Sequence, residues 1–415
     1  MIDFASSIII NPEEKSSLLE IFGRIDEQKR EIVIHYELKS IGVARLEHHD
    51  FVRLLNTFLV TSTDAKTYVV YGCQIVKRTE RFSYSFMGTI EGVFNSLIQQ
   101  PPRGITFKKL SFSFQGISSI FPLLEIDVRV DKSKNFAVVT EPQEETSETI
   151  INEDIRGQVK SEFQGFPHSN ITELHVAQSK IIELTFVSEK TIDELMQLLW
   201  IIKHYIEFLL SQEIRLTAVQ LFGESPNDTA TVIADSILVT NTPIRDINAK
   251  AYPFTSEDFF VGLRGWLEKY GKYERAIGIW LKTIYNAQVF PEDIYIWKCQ
   301  AFELFCELTE EIINDAQAHK APDQSYPNIR NYLISSSSLY GIVSDVAENH
   351  AECFMDAKNV RNEFTHHNPS KPFTEIQIQN SFKLMNCCLP SLMSKVIGFK
   401  CKLPSLILIH TTKKE

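Results

Sequence analysis

The sequence predicts a multidomain α+β protein, in which a β-rich N-terminal domain with one packed helix precedes an all-helical bundle. The chain has 415 residues, more than one ordinary domain holds. Up to about residue 190 it consists mainly of short runs of β-branched and aromatic residues, several of which alternate with polar residues. From residue 255 the apolar residues recur at helical spacing. We therefore expect domains over 1–250 and 251–415, with the boundary near 245–255.

The composition is typical of a soluble globular protein, with 44% hydrophobic and 23% charged residues. The formal net charge is −11, and most of the acidic excess lies in the first 250 residues. Because phosphate contacts need lysine and arginine, the N-terminal part is not expected to bind nucleic acid broadly. The C-terminal part is nearly neutral, which leaves room for a local basic patch.

The cysteines indicate a reducing compartment. There are 7 of them, an odd number, and no C-x-x-C pair occurs. This pattern favours free thiols over a disulfide framework or a zinc site. The chain does not start with a basic segment followed by an apolar run, so no signal peptide is expected. Together these features predict a cytoplasmic protein.

The predicted strands are bounded by turn-forming residues. The acidic stretch EPQEETSET at 141–149 has no apolar face and is predicted to be a loop. The strand candidates of the first part are EIVIHYEL, TYVVYGCQIV, RFSYSF, ITFKKLSFSFQG, LLEIDVRV, NFAVV and IIELTFVS.

At residue 192 the spacing of apolar and polar residues changes from that of a strand to that of a helix. IDELMQLLWIIKHYIEFLL, residues 192–210, carries polar residues mostly three or four apart, which indicates a packed amphipathic helix rather than a membrane span. Thr191 and Glu194 have the spacing of a capping box at its start. After it we expect the strand IRLTAVQLF, the turn GESPNDTA and a last strand DSILVTN.

The second part predicts long helices. Ser256 is a candidate N-cap for the first of them, Pro390 is expected to kink the last, and 321–338 reads as a broken connection with a short helix. The Cys387–Cys388 pair lies in an apolar stretch and is predicted to be core. The long helices are expected at 256–270, 273–288, 292–319, 339–367 and 373–399.

The stretch VRNEFTHH, residues 360–367, places three chemically useful side chains close together. Val360 and Phe364 are four apart and share the face expected to point to the core. Asn362 and His366 share roughly the opposite face, and the long side chain of Arg361 can reach towards it.

These residue types suit cleavage of a phosphodiester. Histidine exchanges a proton near neutral pH, arginine offers a fork of donors to a phosphate, and asparagine can orient either group. RNA carries its own nucleophile, the 2′-hydroxyl, so such a site needs no metal. The alternative is a solvated helix end, where histidines complement the helix dipole.

The segment RNEFTH matches the R-N-x-x-x-H signature of the HEPN superfamily, whose domains are helical bundles. ITFKKLSFSFQGISSIF, the strand and helix unit at 181–222, and FFVGLRGWLEKY resemble the N-terminal domain and connector of ApeA-like anti-phage HEPN proteins. WKCQAFELFCE resembles the first long helix of that group's bundle, where an acidic residue falls at the position of Glu303.

The resemblance implies a metal-independent endoribonuclease of the abortive-infection type, with Arg361, Asn362 and His366 as catalytic residues and Glu303 in support. His367 stands where many members have glycine or tyrosine, so it stays open which histidine is better placed. An RNA substrate, with tRNA among the candidates, a homodimer through the C-terminal domain and a phage trigger at the N-terminal domain are also implied. The alternative is a non-catalytic module for dimerisation or for binding RNA or nucleotide.

Other candidate sites have weaker support in the sequence. His48 and His49 read as surface residues of a loop, and Glu363, His366 and His367 lack the H-E-x-x-H spacing of a zinc site. No P-loop, G-x-G-x-x-G or G-x-S-x-G motif occurs in the chain. We therefore expect neither a cofactor nor a bound metal.

Overall fold

The computed structural model has a mixed α+β architecture, as the sequence predicts, and among its described residues the long helices of the C-terminal half begin at residue 256. The predicted boundary at 245–255 lies almost entirely outside the described residues. The structure describes residues 1–9, 18–38, 57–64, 66–71, 73–82, 86–94, 96–99, 106–121, 127–131, 136–140, 148–167, 174–225, 228–235, 255–285, 290–342, 350–366 and 373–399.

The strands of the described residues all precede residue 236. They are β1 Ile2–Ile9, β2 Leu18–Asp26, β3 Glu31–Leu38, β4 Thr57–Ser62, β5 Thr67–Tyr71, β6 Gln74–Phe82, β7 Phe86–Val93, β8 Ser96–Gln99, β9 Thr106–Phe114, β10 Asp127–Asp131, β11 Phe136–Thr140, β12 Thr149–Ile150, β13 Ile155–Pro167, β14 Leu174–Thr191, β15 Leu216–Phe222 and β16 Thr229–Asp235.

The helices within the described residues range from a single turn to eight turns. They are α1 Ile117–Ile120, α2 Ile192–Leu210, α3 Ser256–Tyr285, α4 Pro291–Glu307, α5 Glu310–Ala318, α6 Ile329–Tyr340, α7 His350–His366 and α8 Glu375–Val396. None of these helices has both the length and the apolar character required to cross a lipid bilayer.

The chain divides into two compact units, each built from separate stretches of sequence. The first comprises Met1–Gln115, Ile182–Met196 and Arg215–Val239, and the second comprises Gly116–Ile181, Gln197–Ile214 and Thr240–Glu415.

The first unit is an antiparallel sheet with the order β14-β9-β15-β16-β8-β5-β4-β1-β2-β3-β7-β6. Alternation along β3 buries Ile32 and Ile34 on one face and leaves His35 partly exposed on the other. Gly23 lies opposite Ile34, and a Cβ there would lie 2.0 Å from the carbonyl oxygen of Val33. Glycine is therefore required for this close strand approach.

The second unit holds the helices α3 to α8, the β10–β11 hairpin, the β12–β13 pair and most of α2. The indole N–H of Trp266 donates to the Ile201 carbonyl at 3.1 Å, and the Tyr205 hydroxyl donates to the Phe259 carbonyl at 2.9 Å. Each bond runs from an aromatic side chain of one helix to a backbone carbonyl of the other. They anchor α3 to α2 within one core.

The helix at 192–210 and its capping box are confirmed. The Thr191 amide donates to the Glu194 carboxylate at 2.8 Å, and the Glu194 amide donates to the Thr191 hydroxyl at 3.4 Å. The N-cap predicted at Ser256 is wrong by one residue. The hydroxyl of Thr255 accepts from the Asp258 amide at 3.1 Å, so Thr255 caps α3.

Three predicted helix boundaries are wrong. The helices predicted at 256–270 and 273–288 form the single helix α3, and the one predicted at 292–319 is interrupted after Glu307. A capping box at Asn328 starts a full helix, α6, in the predicted broken connection. Gly341, at φ 59°, ends α6 in the left-handed conformation, so one helix cannot run through 339–367.

Candidate active site

The helix that carries the R-N-x-x-x-H motif, α7, is anchored in the second unit through one face. Phe354 is 4% exposed, and Ala357 and Val360 are fully buried. These residues recur three apart, as expected for a buried helical stripe. The Tyr295 hydroxyl on α4 donates to the Ala357 carbonyl at 3.0 Å, which fixes α7 against α4.

An aromatic cluster continues this buried face beneath the motif. The ring of Phe364 meets that of Tyr295 edge to face, with 5.7 Å between the centroids, and Phe382 on α8 lies 4.7 Å from Tyr295. Such aromatic pairs add packing energy beyond the area they bury. The motif therefore sits on a junction of α4, α7 and α8.

Arg361 forms an ion pair with Glu303 on α4. Its Nη2 donates to the Glu303 Oε2 at 3.3 Å, although the two residues are 58 positions apart in the sequence. The side chain of Arg361 is 29% exposed and that of Glu303 is 17% exposed. The contact restrains the guanidinium, while part of the Arg361 side chain stays exposed to solvent.

The electrostatic setting of Glu303 depends on this partner. Burial raises the pKa of the Glu303 carboxyl, while the charge of Arg361 and a hydrogen bond from the Ile329 backbone act to lower it. The carboxylate of Glu307, one turn further along α4, raises the pKa again. The balance leaves the pKa above its ordinary value, so Arg361 is the main group that stabilises the ionised form.

The two other residues of the motif, Asn362 and His366, follow Arg361 on α7. Asn362 is half-buried and follows Arg361 directly on α7. His366 is the last residue of α7, one turn after Asn362, but its side chain lies outside what the structure describes. His367, His48 and His49 also lie outside the described residues. The structure thus brings together Glu303 and Arg361, and it leaves the assignment of the histidine a prediction.

Sequence reasoning correctly placed the neighbouring cysteines in the core. Cys387 and Cys388 are each 1% exposed, and burial raises the pKa of the Cys387 thiol to about 12. Such thiols are protonated at neutral pH and therefore unreactive. Within the described part of the chain, no group of three or more His, Cys, Asp or Glu side chains could hold a metal ion.

Sequence reasoning missed a buried polar network on α2. Glu207 is fully buried and accepts from Lys203 Nζ at 2.6 Å, from the Tyr285 hydroxyl at 2.6 Å and from the Ile214 amide at 3.1 Å. The i, i+4 spacing of lysine and glutamate in an otherwise apolar helix was the available signal. The partners at Tyr285 and Ile214 are set by tertiary structure and leave no local pattern.

Comparison of the chain with protein-family models, with curated proteins and with solved structures gave no match.

Proposed function

We propose that the helical part of this chain is a metal-independent nuclease module that cleaves RNA. More specifically, we propose a HEPN-type endoribonuclease of an anti-phage abortive-infection system, with the β-rich part as its sensor or restraint. The observation that carries this proposal is the Arg361–Glu303 pair, which holds the motif arginine on a buried junction with 29% of its side chain exposed.

The proposed reaction needs only proton transfers and charge stabilisation. A base takes the proton of the 2′-hydroxyl, the 2′-oxygen attacks the adjacent phosphorus, and the bond from phosphorus to the 5′-oxygen breaks. An acid protonates the departing 5′-oxygen. The products are a 2′,3′-cyclic phosphate and a 5′-hydroxyl. His366 would carry the proton, and Arg361 would stabilise the charge that develops on the phosphoryl oxygens.

A homodimer would supply the second proton-transfer group. One copy of the motif offers one histidine in the proposed role, whereas the reaction needs a base and an acid. The surface of α7 and α8 is suited to self-association, because Met355 is 38% exposed and Ile376 is 69% exposed. Met355 is seven residues before Asn362 and shares its helix face. Gln377 donates to Asp356 at 3.1 Å, so the helical turns that carry the two apolar residues lie against each other.

The alternative is a non-catalytic module for dimerisation or for binding RNA or nucleotide. The net charge of −11 favours a module for dimerisation, or a substrate presented in a narrow local groove, since broad RNA binding needs an excess of cations. The Arg361–Glu303 pair would then serve only to join α4 to α7.

Incubation of the purified protein with total RNA in EDTA separates the two functions. The proposed enzyme cleaves in the chelator and leaves a 2′,3′-cyclic phosphate and a 5′-hydroxyl, and the His366→Ala variant keeps its fold by circular dichroism but loses cleavage. Strict dependence on Mg²⁺, 5′-phosphate products or full activity of His366→Ala would contradict the mechanism.

A further inference from the structure

The loop between α5 and α6, residues 319–328, presents an aromatic side chain to solvent. Tyr326 lies near the end of this loop and is 81% exposed, whereas Tyr332, on α6, is 2% exposed. A single exposed aromatic residue is common on protein surfaces and has no function by itself. Tyr326 differs in three respects, which are the rigidity of its loop, its position beside the Arg361–Glu303 pair and the charge around it.

Hydrogen bonds restrain the 319–328 loop. The side-chain amide of Asn331, a buried residue of α6, donates to the His319 carbonyl at 2.6 Å. Within the loop, Lys320 Nζ donates to the Ser325 carbonyl at 3.1 Å. The backbone next to Tyr326 is thus held in place in the free protein, so a contact made through its ring would cost little conformational entropy.

The end of this loop borders the Arg361–Glu303 pair. α6 packs against α4, where the Ser336 Oγ lies 3.5 Å from the Cys306 Sγ, one turn beyond Glu303. In the first turn of α6, the Ile329 backbone hydrogen-bonds to the Glu303 carboxylate. The start of α6 therefore lies beside the carboxylate that holds the motif arginine.

The distance from Tyr326 to this point is short. Tyr326 precedes Ile329 by three residues, so their Cα atoms are at most about 10 Å apart. A ligand that contacts both Tyr326 and Arg361 must be an extended chain of several units. An RNA strand with a phosphate at Arg361 and a base at Tyr326 has this form.

The charged residues around Tyr326 suit a polyanion. Residues 319–330 hold two cations, Lys320 and Arg330, and one carboxylate, Asp323, which gives a net charge of +1 in a chain of net charge −11. Sites that bind single-stranded nucleic acid combine cations with aromatic rings on which bases stack. This segment offers both next to the motif arginine.

We propose that the 319–328 loop binds an unpaired region of RNA, with the Tyr326 ring stacked on one base and the scissile phosphate at Arg361. The inference rests on the proposed function, which gives Arg361 its role. The base must be unpaired, because a base inside a duplex is stacked between its neighbours and cannot reach a protein ring. The loop would therefore select single strands, hairpin loops or bulges over duplex RNA.

The binding of an RNA that cannot be cleaved tests Tyr326 separately from catalysis. A fluorescent single-stranded oligonucleotide with 2′-O-methyl groups lacks the nucleophile, so its anisotropy reports only the affinity of the full chain. We expect the Kd to rise on the order of tenfold in Tyr326→Ala and to stay within about twofold of the wild type in Tyr326→Phe, which keeps the ring. A duplex of the same sequence should bind independently of Tyr326.

Phe290→Ala is the matched control for the loss of an exposed ring. Phe290 is 77% exposed and immediately precedes α4, about 20 Å along that helix from Glu303. It should bind the oligonucleotide as the wild type does. Because both rings are exposed, neither alanine variant should lose its fold, which circular dichroism checks.

Unchanged affinity in Tyr326→Ala, an equal loss in Tyr326→Phe, or a wild type that does not bind the oligonucleotide would overturn the proposal. So would conversion of a dimer into monomers in Tyr326→Ala with RNA affinity unchanged, since Tyr326 would then contact a second copy. Cleavage in EDTA reports separately on the proposed function. A protein that cleaves RNA but binds equally well without Tyr326 keeps that function and loses this inference. One that binds through Tyr326 but does not cleave keeps the stacking contact and loses the function.

Discussion

Replacing Glu303 by glutamine removes the charge that faces Arg361 and keeps the size of the side chain. The glutamine carbonyl can still accept from the guanidinium and from the Ile329 backbone. The variant therefore isolates the ionic part of the contact. Two opposing effects determine the stability of Glu303→Gln. The variant loses the attraction to Arg361, which destabilises the folded state. It also no longer buries a charged carboxylate, whose unfavourable burial raises the pKa of Glu303 in the wild type.

The size of the attraction follows from the distance. At 3.3 Å, two unit charges attract by roughly 5 kcal/mol at an effective dielectric of 20 and by roughly 1 kcal/mol in water. Exposed ion pairs contribute about 0.2–1 kcal/mol to the free energy of unfolding. In this pair the side chain of Arg361 is only 29% exposed and that of Glu303 only 17% exposed. We expect a coupling of about 1–2 kcal/mol between the two side chains, with a smaller net loss, below about 1 kcal/mol, for Glu303→Gln alone.

A double-mutant cycle measures this coupling. Urea unfolding of the wild type, Glu303→Gln, Arg361→Gln and the double variant gives four free energies of unfolding. RNA cleavage by the same proteins reports whether Glu303 positions the guanidinium. If it does, kcat of Glu303→Gln should fall about tenfold or more with KM little changed, because the phosphate is held less well in the transition state.

Glu292→Gln is the matched control, since Glu292 lies in the first turn of the same helix, is exposed and does not act on the pKa of Glu303. It should change neither stability nor kcat substantially. A coupling below about 0.3 kcal/mol, together with wild-type cleavage by Glu303→Gln, would refute the role assigned to the pair.

Three further predictions concern assembly and the second unit. Changing Met355 and Ile376 together to glutamate should convert a dimer into monomers by light scattering and abolish cleavage. Burial lowers the pKa of His204 to about 4, so the folded state binds fewer protons than the unfolded state between about pH 6.5 and pH 4. The free energy of unfolding should therefore fall by up to about 3 kcal/mol as the pH drops from about 6.5 to about 4. In His204→Gln the fall over the same pH range should be smaller. Tyr285→Phe removes a donor to the buried Glu207 carboxylate and should lower the free energy of unfolding by about 2 kcal/mol.

Controls for these variants come from exposed positions. Leu339→Glu adds a charge at an exposed apolar residue of α6, and Tyr326→Phe removes a hydroxyl from an 81% exposed tyrosine. Both should behave as wild type. Monomers that still cleave RNA, stability that does not change between pH 6.5 and pH 4, or a Tyr285→Phe protein as stable as Tyr326→Phe would each contradict the corresponding argument.

The elements that the sequence predicts well are those fixed by local patterns. The strand at Glu31–Leu38 and the helix at Ile192–Leu210 have the predicted bounds, because alternation defines the first and a capping box starts the second. One error is the break predicted after residue 270, where α3 continues, and two others occur where a helix ends without a proline. α5 begins after Thr309, which makes no side-chain capping bond, and Gly341 ends α6, within stretches whose apolar spacing continues across the break.

The site is predictable only in part, because some of its contacts join residues that are far apart in the sequence. The motif at Arg361 and Asn362 is contiguous, so its spacing is visible in the sequence. The contact of Arg361 with Glu303 joins two helices and is set by the packing of Tyr295 against Ala357. The contact of Lys298 on α4 with Asn386 on α8 is likewise tertiary. A lysine in a helical sequence ordinarily indicates a solvated face, and only the positions of the surrounding helices show otherwise.

The placement of cations in the second unit bears on how an acidic chain could act on RNA. Lys203 is buried in its pair with Glu207, and Lys298 is half-buried and donates to Asn386, so neither adds freely to a basic surface. Arg361 keeps 29% of its side chain exposed while paired with Glu303. Under the proposed function, the net charge of −11 would oppose broad contact with phosphates, and counterion release would contribute less to affinity than in a basic protein. Recognition would then depend on the shape of a particular RNA and on two motif helices meeting in a dimer, which would bring two Arg361 side chains to one phosphate and give the acidic chain a local concentration of positive charge.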